Sequence, residues 1–407
     1  MRLAFVNPPL IGRRQKAVEA EDCCWGVGSR VLPAMLLACT SEARRVGHDV
    51  AFIDLTIDKP TVLAAFKPDA VIHALPWQWW KQVNAAMSAV CQDTQRVILA
   101  VPPGYAGHYA TGTGCPVVFS EPERIMAMPT NAWAQDEKLP NCLADLGPVD
   151  YTLVPSHYWQ RYKAAVYQAT RGCCYHCSFC VWGGSTVTDT TFRLRPAAQV
   201  ASNLRQLREL STAARGKPLP LYLLAAQLTS SDVWIREFHA EMAGEPYQFQ
   251  SNVNLGDLTA EKMRLLMECG LSSTSVGLEA GATPLLYKLG KPYTFERALH
   301  GLLTLQEVGI KWRAHVRYGF GETAEDVEES AENVHRMRHA GLKRLRVDFA
   351  PIVHYEGTRI KAEADYKLKP LPKRAVECLV MANLPDWTPF TDALRQYDWL
   401  TSEGARK

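Results

Sequence analysis

The 407-residue sequence contains no long hydrophobic run, no large excess of one charge and no low-complexity tract. A helix that spans a bilayer needs about 18 or more apolar residues, and no segment here approaches that length. The formal net charge of +3 is too small to indicate nucleic acid or an anionic membrane as a partner. The N-terminus, MRLAFVNPP, has too short an apolar stretch to resemble a secretory signal. These absences predict a cytoplasmic protein without a membrane partner.

The 12 cysteines are the most unusual part of the composition. In a chain without a secretory signal they indicate reduced thiols and a metal site rather than a disulfide framework. With 47% hydrophobic residues, the chain can bury a large core, and its length predicts two domains.

Three of these cysteines, Cys173, Cys177 and Cys180, lie in one short segment with the spacing C-x3-C-x2-C. Three thiolates on one loop can bind three irons of a [4Fe–4S] cluster, which leaves the fourth iron without a protein ligand. A zinc site that includes His176 is the alternative, although zinc usually takes a second pair of ligands from elsewhere in the chain. Cys174 interrupts the pattern, and we expect it to be a small buried residue rather than a ligand.

Phe179 directly precedes the third cysteine, and the run from Cys173 to Cys180 resembles the signature of the radical S-adenosylmethionine (radical SAM) superfamily. The resemblance implies a [4Fe–4S] cluster on the three cysteines, SAM on the fourth iron and Phe179 beside the adenine. It also implies reductive cleavage of SAM to a 5′-deoxyadenosyl radical, with an external electron donor such as flavodoxin or ferredoxin. No side chain is assigned a catalytic role, because this chemistry belongs to the cofactors.

Strands and helices are predicted to alternate through residues 1–140. Apolar runs predict strands at 2–6, 49–55, 70–74 and 96–101, and helical spacing predicts helices at 33–46, 60–66 and 82–92. This order predicts a parallel, doubly wound, Rossmann-like sheet whose ligands bind at the loops after the strands. The segment resembles the cobalamin-binding domain that precedes the radical SAM core in one subfamily, so the resemblance adds cobalamin to the cofactors.

Two loops depart from that subfamily. The loop Pro102-Pro-Gly-Tyr105 lacks the usual pair of glycines, and the loop after the third strand contains the bulky run Pro76-Trp-Gln-Trp-Trp80. The tryptophans either cap a corrin or a flat substrate, or pack at a domain interface. The chain also lacks an Asp-x-His-x-x-Gly motif, as members of this radical subfamily generally do, so the residues leave cobalamin binding open.

From about residue 165 the chain repeats strand, loop and helix six times. The resemblance implies that these units form the partial (β/α)6, TIM-like radical SAM barrel, and the cysteine segment follows its first predicted strand, 165–170. The predicted fold class is therefore α/β, with a Rossmann-like domain before the barrel. The predicted domains are 1–140, the barrel 141–360 and a helical C-terminal extension 361–407.

Candidate SAM contacts lie at the ends of the predicted barrel strands. Glu279 stands in a segment, Gly277-Leu-Glu-Ala-Gly281, that resembles the family's Gly-Ile-Glu-Ser-Gly. We expect Glu279 to accept a hydrogen bond from the ribose or the methionine ammonium; capping of the next turn is the alternative. Gly319 is expected to let the backbone approach the adenine. The predicted cofactor-binding set also includes Gln227, Ser251, Asn252 and Arg317.

Arg313, His315 and Arg317 alternate along the fifth predicted strand, so all three point to one face. If that face is the barrel interior, they bind the SAM carboxylate or an anionic substrate. If it faces the helices, they are structural residues held in ion pairs.

The sequence therefore predicts a radical SAM enzyme that modifies an unactivated carbon, with cobalamin-dependent C-methylation as the first interpretation. The alternatives are a cobalamin-independent rearrangement, isomerisation or cyclisation of a metabolite or modified nucleotide, and a non-catalytic iron–sulfur protein. The expected partner is a small-molecule or modified-nucleotide substrate. The sequence encodes neither its identity nor the oligomeric state.

Overall fold

The structure, a computed structural model, describes residues 1–9, 31–76, 80–91, 94–101, 117–118, 146–180, 182–184, 191–318, 324–342, 347–351 and 358–362. The chain groups into two compact units: residues 1–170, 187–189 and 193–224, and residues 171–186, 190–192 and 225–407. The predicted domain boundaries at 140 and 360 remain predictions, and nearly all of the predicted extension lies outside the described ranges. Within those ranges, no helix is both long and apolar enough to cross a membrane.

The first unit is built from strands and helices that alternate along the chain. Its strands are β1 (Arg2–Asn7), β2 (Val31–Leu32), β3 (Asp49–Asp54), β4 (Ala70–Pro76), β5 (Gln95–Val101), β6 (Val117–Val118), β7 (Ala164–Gln168), β8 (Thr170–Arg171, the last residue of which begins the second unit), β9 (Arg193–Leu194) and β10 (Leu221–Leu224). Its helices are α1 (Ala34–Arg45), α2 (Thr61–Phe66), α3 (Trp80–Cys91), α4 (Ser156–Trp159) and α5 (Ala197–Arg215).

Five of these strands form a parallel sheet in the order β3-β1-β4-β5-β6. Residues 3–6 of β1 are fully buried, because a central parallel strand is covered on both faces. The strand order reverses between β1 and β4, and ligands of doubly wound sheets bind beyond the carboxyl ends of the strands at such a point. The predicted Rossmann-like sheet is confirmed, although most of the predicted ligand loops lie outside the described residues.

A buried polar cluster closes the carboxyl end of β1 and β3. Asn7 and Asp54 are both fully buried. The Asn7 Nδ2 donates to Asp54 Oδ2 at 3.1 Å, and the Tyr162 hydroxyl donates to the same oxygen at 2.8 Å. Burial raises the pKa of Asp54 above its ordinary value, although these hydrogen bonds oppose the shift. These hydrogen bonds hold Tyr162, which lies just before β7, against the carboxyl end of the sheet.

The second unit continues the alternation of strands and helices. Its strands are β11 (Phe249–Val253), β12 (Leu271–Glu279), β13 (Lys311–Tyr318) and β14 (Val347–Pro351). Its helices are α6 (Asp232–Met242), α7 (Ala260–Glu268), α8 (Thr283–Lys288), α9 (Phe295–Glu307), α10 (Ala324–His339) and α11 (Arg359–Ala362). The four strands pair in parallel in chain order. Together with β7 and β10, they correspond to the six predicted barrel strands.

Threonine side chains cap two helices of this unit. The Thr259 hydroxyl accepts a hydrogen bond from the Lys262 backbone N–H at 3.2 Å and so caps α7. Thr294 caps α9 in the same way through the Arg297 backbone N–H. The short helix α8, which follows β12, has no counterpart among the sequence predictions, because six residues carry too little periodic signal.

Candidate active site

The cysteine loop, which we define as residues 172–184, folds tightly on itself. The backbone N–H of Cys180 donates to the Cys177 carbonyl at 3.0 Å, and that of Gly184 donates to the Cys180 carbonyl at 2.8 Å. A Cβ on Gly183 would lie 1.9 Å from the Tyr175 carbonyl oxygen, and one on Gly184 would lie 2.0 Å from that of Cys177. Only glycine fits at these two positions, and the resulting turn brings the three predicted ligands into one loop.

The sulfur atoms of the loop receive hydrogen bonds suited to thiolates. The Tyr175 N–H lies 3.4 Å from Cys173 Sγ, and the Trp182 N–H lies 3.4 Å from Cys180 Sγ. Gln227, from the segment after β10, also hydrogen-bonds the Cys173 thiol. A hydrogen bond with Cys174, together with burial, raises the pKa of Cys173, and burial raises that of Cys177. The raised pKa values oppose deprotonation of the thiols, and the positive irons of a bound cluster would offset that cost. Backbone N–H donors to sulfur are a usual part of iron–sulfur sites.

The surroundings of the loop bear on the choice between zinc and a cluster. His176 Nδ1 lies 3.2 Å from the Gly183 carbonyl oxygen, which holds the imidazole against its own loop. Among the described residues, no three His, Cys, Asp or Glu side chains are grouped to hold a single metal ion. A cubane does not require that grouping, because each thiolate binds a different iron. Three thiols on one loop with N–H donors to sulfur therefore fit a [4Fe–4S] cluster.

Cys174 is exposed, so the prediction that it is a small buried residue is wrong. Its neighbours Cys173 and Cys177 are buried, and the turn between them leaves the Cys174 side chain in solvent. A spacing pattern alone does not show which residue of such a turn faces solvent.

A buried ion pair lies at the end of β12. Lys291 Nζ is 3.1 Å from Glu279 Oε1, and the two side chains are 8% and 9% exposed. The same ammonium donates to the Gly277 carbonyl at 3.3 Å, and the Tyr293 hydroxyl donates to that carbonyl at 2.5 Å. Burial opposes the charge on Lys291, but the attraction of Glu279 outweighs it and raises the pKa of Lys291 above its ordinary value. The ammonium of Lys291 is therefore favoured within the pair.

The backbone at Glu279 is strained to make this pair. Its φ of +65° lies in the left-handed region, which non-glycine residues seldom occupy and which recurs at functional sites. A Cβ on Gly277 would lie 2.1 Å from Glu279 Oε1 and 3.0 Å from Lys291 Nζ. The missing side chain at Gly277 thus makes room for the ion pair.

Lys291 also touches the cysteine loop. Its ammonium lies 5.7 Å from the centroid of the Phe179 ring, within the range of a cation–π contact. The residue before it, Gly290, accepts a weak hydrogen bond from Cys177 Sγ at 3.8 Å. The Ser178 backbone N–H donates to the Leu289 carbonyl at 2.9 Å. The segment after α8 is therefore joined to the loop by backbone, sulfur and ring contacts.

The strand β13 has one apolar and one polar face. Its residues Trp312, Ala314 and Val316 are buried, whereas Arg313, His315 and Arg317 are half-buried. In register with them, Ser275 and Gly277 of β12 are also half-buried. The three basic residues therefore share one face of the sheet, opposite the buried apolar face.

The two predicted contacts on β11 lie on opposite faces. Asn252 is in register with Ser275 and Arg313, so it belongs to the polar face. Ser251 is in register with Thr274 on the buried face, and the Thr274 hydroxyl donates to the Ser251 carbonyl at 2.9 Å. Of the other predicted residues, Gly319 lies outside the described part of the chain.

The described part of the site thus gathers the three cysteines, Phe179, Gln227 and Glu279 around the cysteine loop. Lys291 is the functional candidate that sequence reasoning missed. The segment contains two similar lysines three residues apart, Lys288 and Lys291, and Lys288 is exposed. Only the fold separates the buried lysine from the exposed one.

Comparison with known proteins agrees with this geometry. Residues 167–334 match the radical SAM superfamily, a span that includes the cysteine loop, the ion pair and the polar strand face. This family implies a [4Fe–4S] cluster and SAM as cofactors.

Solved structures with the same fold cover nearly the whole chain. TsrM, a radical SAM methyltransferase from Kitasatospora setae solved with tryptophan substrate and a SAM analogue, has a TM-score of 0.71 at 16% identity, covering 99% of this chain and 89% of that one. OxsB, a cobalamin-dependent radical SAM enzyme solved with aqua-cobalamin, has a TM-score of 0.71 at 12% identity, covering 98% and 67%. At these identities the likeness concerns the fold.

A curated relative is similar over a shorter stretch. The uncharacterized protein MK0932 of Methanopyrus kandleri is 35% identical over 107 residues, which is 26% of this chain and 20% of the relative. The chain also spans only 52% of another OxsB structure, solved with aqua-cobalamin and SAM. Residues 167–334 of this chain thus match the radical SAM superfamily, and the chain shares its fold with the cobalamin-dependent enzyme OxsB and the methyltransferase TsrM.

Proposed function

We propose that this protein is a radical SAM enzyme that modifies an unactivated carbon of a small-molecule or modified-nucleotide substrate. The observation that carries the proposal is the cysteine loop, in which three thiols, two of them with backbone N–H donors, lie on a turn closed by two obligatory glycines. When bound, a reduced [4Fe–4S] cluster supplies the electron that cleaves SAM to methionine and a 5′-deoxyadenosyl radical. The protein's own part is to hold, orient and shield the reactants.

The residues around the loop are suited to holding SAM. The Gln227 amide oxygen is buried and has no hydrogen-bond partner among the described residues. Because Gln227 also contacts Cys173, we expect that oxygen to accept a hydrogen bond from the methionine ammonium of SAM. Phe179 supplies a ring for the adenine to pack on, and Glu279 supplies a carboxylate that Lys291 already orients. Ser251 has no part in this proposal, because it belongs to the buried face.

The polar face of β13 is suited to an anionic group. Arg317, with Arg313 and His315 on the same face, offers donors to the SAM carboxylate or to an acidic group of the substrate. Asn252 lies in register with Arg313 and adds an amide to the same face. The apolar side chains of the opposite face hold the strand in place.

Cobalamin-dependent C-methylation is the reaction that we propose first. Its support is the Rossmann-like sheet of the first unit, whose strand order reverses between β1 and β4, and the fold likeness to OxsB and TsrM. In that reaction, cobalamin would carry a methyl group to a substrate radical. An external electron donor such as flavodoxin or ferredoxin would reduce the cluster.

The test is anaerobic reconstitution with iron and sulfide, followed by dithionite and SAM, with 5′-deoxyadenosine measured by mass spectrometry. The wild-type protein should form 5′-deoxyadenosine, the Cys177→Ala variant should form none, and the matched Cys174→Ala variant should behave as wild type. Absence of 5′-deoxyadenosine from wild-type protein with an intact cluster would overturn the proposal.

A second measurement addresses the methylation step. Protein produced with excess hydroxocobalamin should contain about one corrin with the four irons of one cubane cluster per chain. Four irons without corrin would contradict the cobalamin part and move the proposal to a rearrangement, isomerisation or cyclisation.

A further inference from the structure

We infer that Lys291 is a positioning residue whose ion pair with Glu279 keeps the surroundings of the cluster electrically balanced and thereby sets how readily the cluster is reduced. The inference rests on the proposed function only in that it requires a [4Fe–4S] cluster on the cysteine loop. It concerns residues to which no role has been assigned beyond a SAM contact for Glu279.

The first step is the position of the charge. Lys291 contacts the cysteine loop through the Phe179 ring at 5.7 Å, and the carbonyl oxygen of its neighbour Gly290 lies 3.8 Å from Cys177 Sγ. Cys177 is one of the three predicted ligands, and Phe179 is adjacent to another, Cys180. An ammonium held here acts on the cluster through a short path of buried protein, where charge interactions are screened much less than in water.

The second step is that the charge is fixed. Lys291 Nζ is held by Glu279 Oε1 and by the Gly277 carbonyl, and its side chain is 8% exposed. The strained φ of Glu279 and the space left at Gly277 show that the backbone is shaped around this pair. A lysine with several buried partners and little access to water cannot move its charge away as an exposed lysine can.

The third step is the consequence of removing one partner. The cluster gains a negative charge when it is reduced, and its potential depends on the net charge nearby. Without the ammonium, the Glu279 carboxylate opposes reduction, so the midpoint potential should become more negative. Without the carboxylate, the ammonium favours reduction, so the potential should become less negative. Removal of both partners leaves the net charge near the cluster unchanged, so the midpoint potential should stay near that of wild type.

The experiment is a potentiometric titration of the reconstituted full-length protein with dithionite and mediators, in the absence of SAM. The reduced cluster is followed by electron paramagnetic resonance. The variants are Lys291→Met, Glu279→Gln, the double variant and the charge-conserving Lys291→Arg. Lys288→Met removes an exposed lysine from the same segment and is the matched control.

The inference predicts potential shifts of opposite sign for Lys291→Met and Glu279→Gln, and near wild-type potentials for the double variant, Lys291→Arg and Lys288→Met. Shifts of the same sign in both single variants, or no shift in either, would overturn it. If Lys291→Met fails to take up iron, two variants still test the inference. Glu279→Gln should have a less negative potential than wild type, and Lys291→Arg should have a potential near that of wild type. Because SAM is absent from the titration, failure of this inference is distinct from failure to form 5′-deoxyadenosine.

Discussion

Substitution of Gly184 by alanine should strongly weaken cluster binding while leaving the rest of the protein folded. An added Cβ would lie 2.0 Å from the Cys177 carbonyl oxygen and 3.0 Å from that of Cys180. Ordinary contacts begin near 3.4 Å, so the backbone must move by more than 1 Å. That movement takes the Gly184 N–H away from the Cys180 carbonyl, which it contacts at 2.8 Å, and displaces both cysteines.

The size of the effect follows from the hydrogen bonds that must break. Two backbone hydrogen bonds, from Cys180 and Gly184, hold the turn that carries Cys177 and Cys180. At about 1 kcal/mol net for each hydrogen bond, opening the turn costs roughly 2 kcal/mol. Displaced ligands add to that cost. Cluster occupancy should therefore fall at least about tenfold under limiting iron, since 1.4 kcal/mol corresponds to a factor of ten.

The assay is iron and sulfide per chain after anaerobic reconstitution, with circular dichroism to confirm folding. Gly147→Ala is the matched control, because its nearest neighbour is the end of the Arg45 side chain at 3.1 Å, which can move. A Gly184→Ala protein that binds a full complement of iron would refute the argument that this turn positions the ligands.

Three further predictions concern stability. Tyr162→Phe removes a hydrogen bond to the buried carboxyl of Asp54 and should lower the free energy of unfolding by about 1.5–3 kcal/mol in urea titrations; an unchanged midpoint would contradict this. Because burial raises the pKa of Asp54, its ionised form is disfavoured in the folded state, so wild type should gain stability relative to Asp54→Asn as pH falls from neutral towards the carboxyl range. The opposite trend would show that hydrogen bonds outweigh burial. Thr259→Ala removes the cap of α7 and should cost about 1 kcal/mol, whereas exposed Glu261→Ala on the same helix should cost less.

The sequence predicts the framework of this fold well because buried parallel strands are continuous apolar runs. The bounds of β1 and β3 each differ from the predicted 2–6 and 49–55 by one residue. The cysteine loop was also recognisable, because its three predicted ligands lie within a run of eight residues. Local spacing is the kind of information that a sequence displays directly.

The ion pair of Glu279 with Lys291 was not predictable from the same sequence. The two residues are 12 positions apart, and the short helix α8 between them had no clear signal. Their meeting depends on the left-handed turn at Glu279 and on the space at Gly277, which are properties of the folded backbone. The prediction for Cys174 failed for a related reason, since exposure within a tight turn depends on how the turn closes.

The most direct test of the central claim is the electron paramagnetic resonance spectrum of the reduced, reconstituted protein before and after SAM is added. Three cysteine ligands leave one iron of the cluster free to bind SAM, so the account predicts a change in the g values on addition of SAM. It also predicts hyperfine coupling between the reduced cluster and the carboxylate carbon of SAM when that carbon is labelled with ¹³C. A reduced cluster whose spectrum is the same with and without SAM would contradict the claim that this loop presents an open iron to SAM.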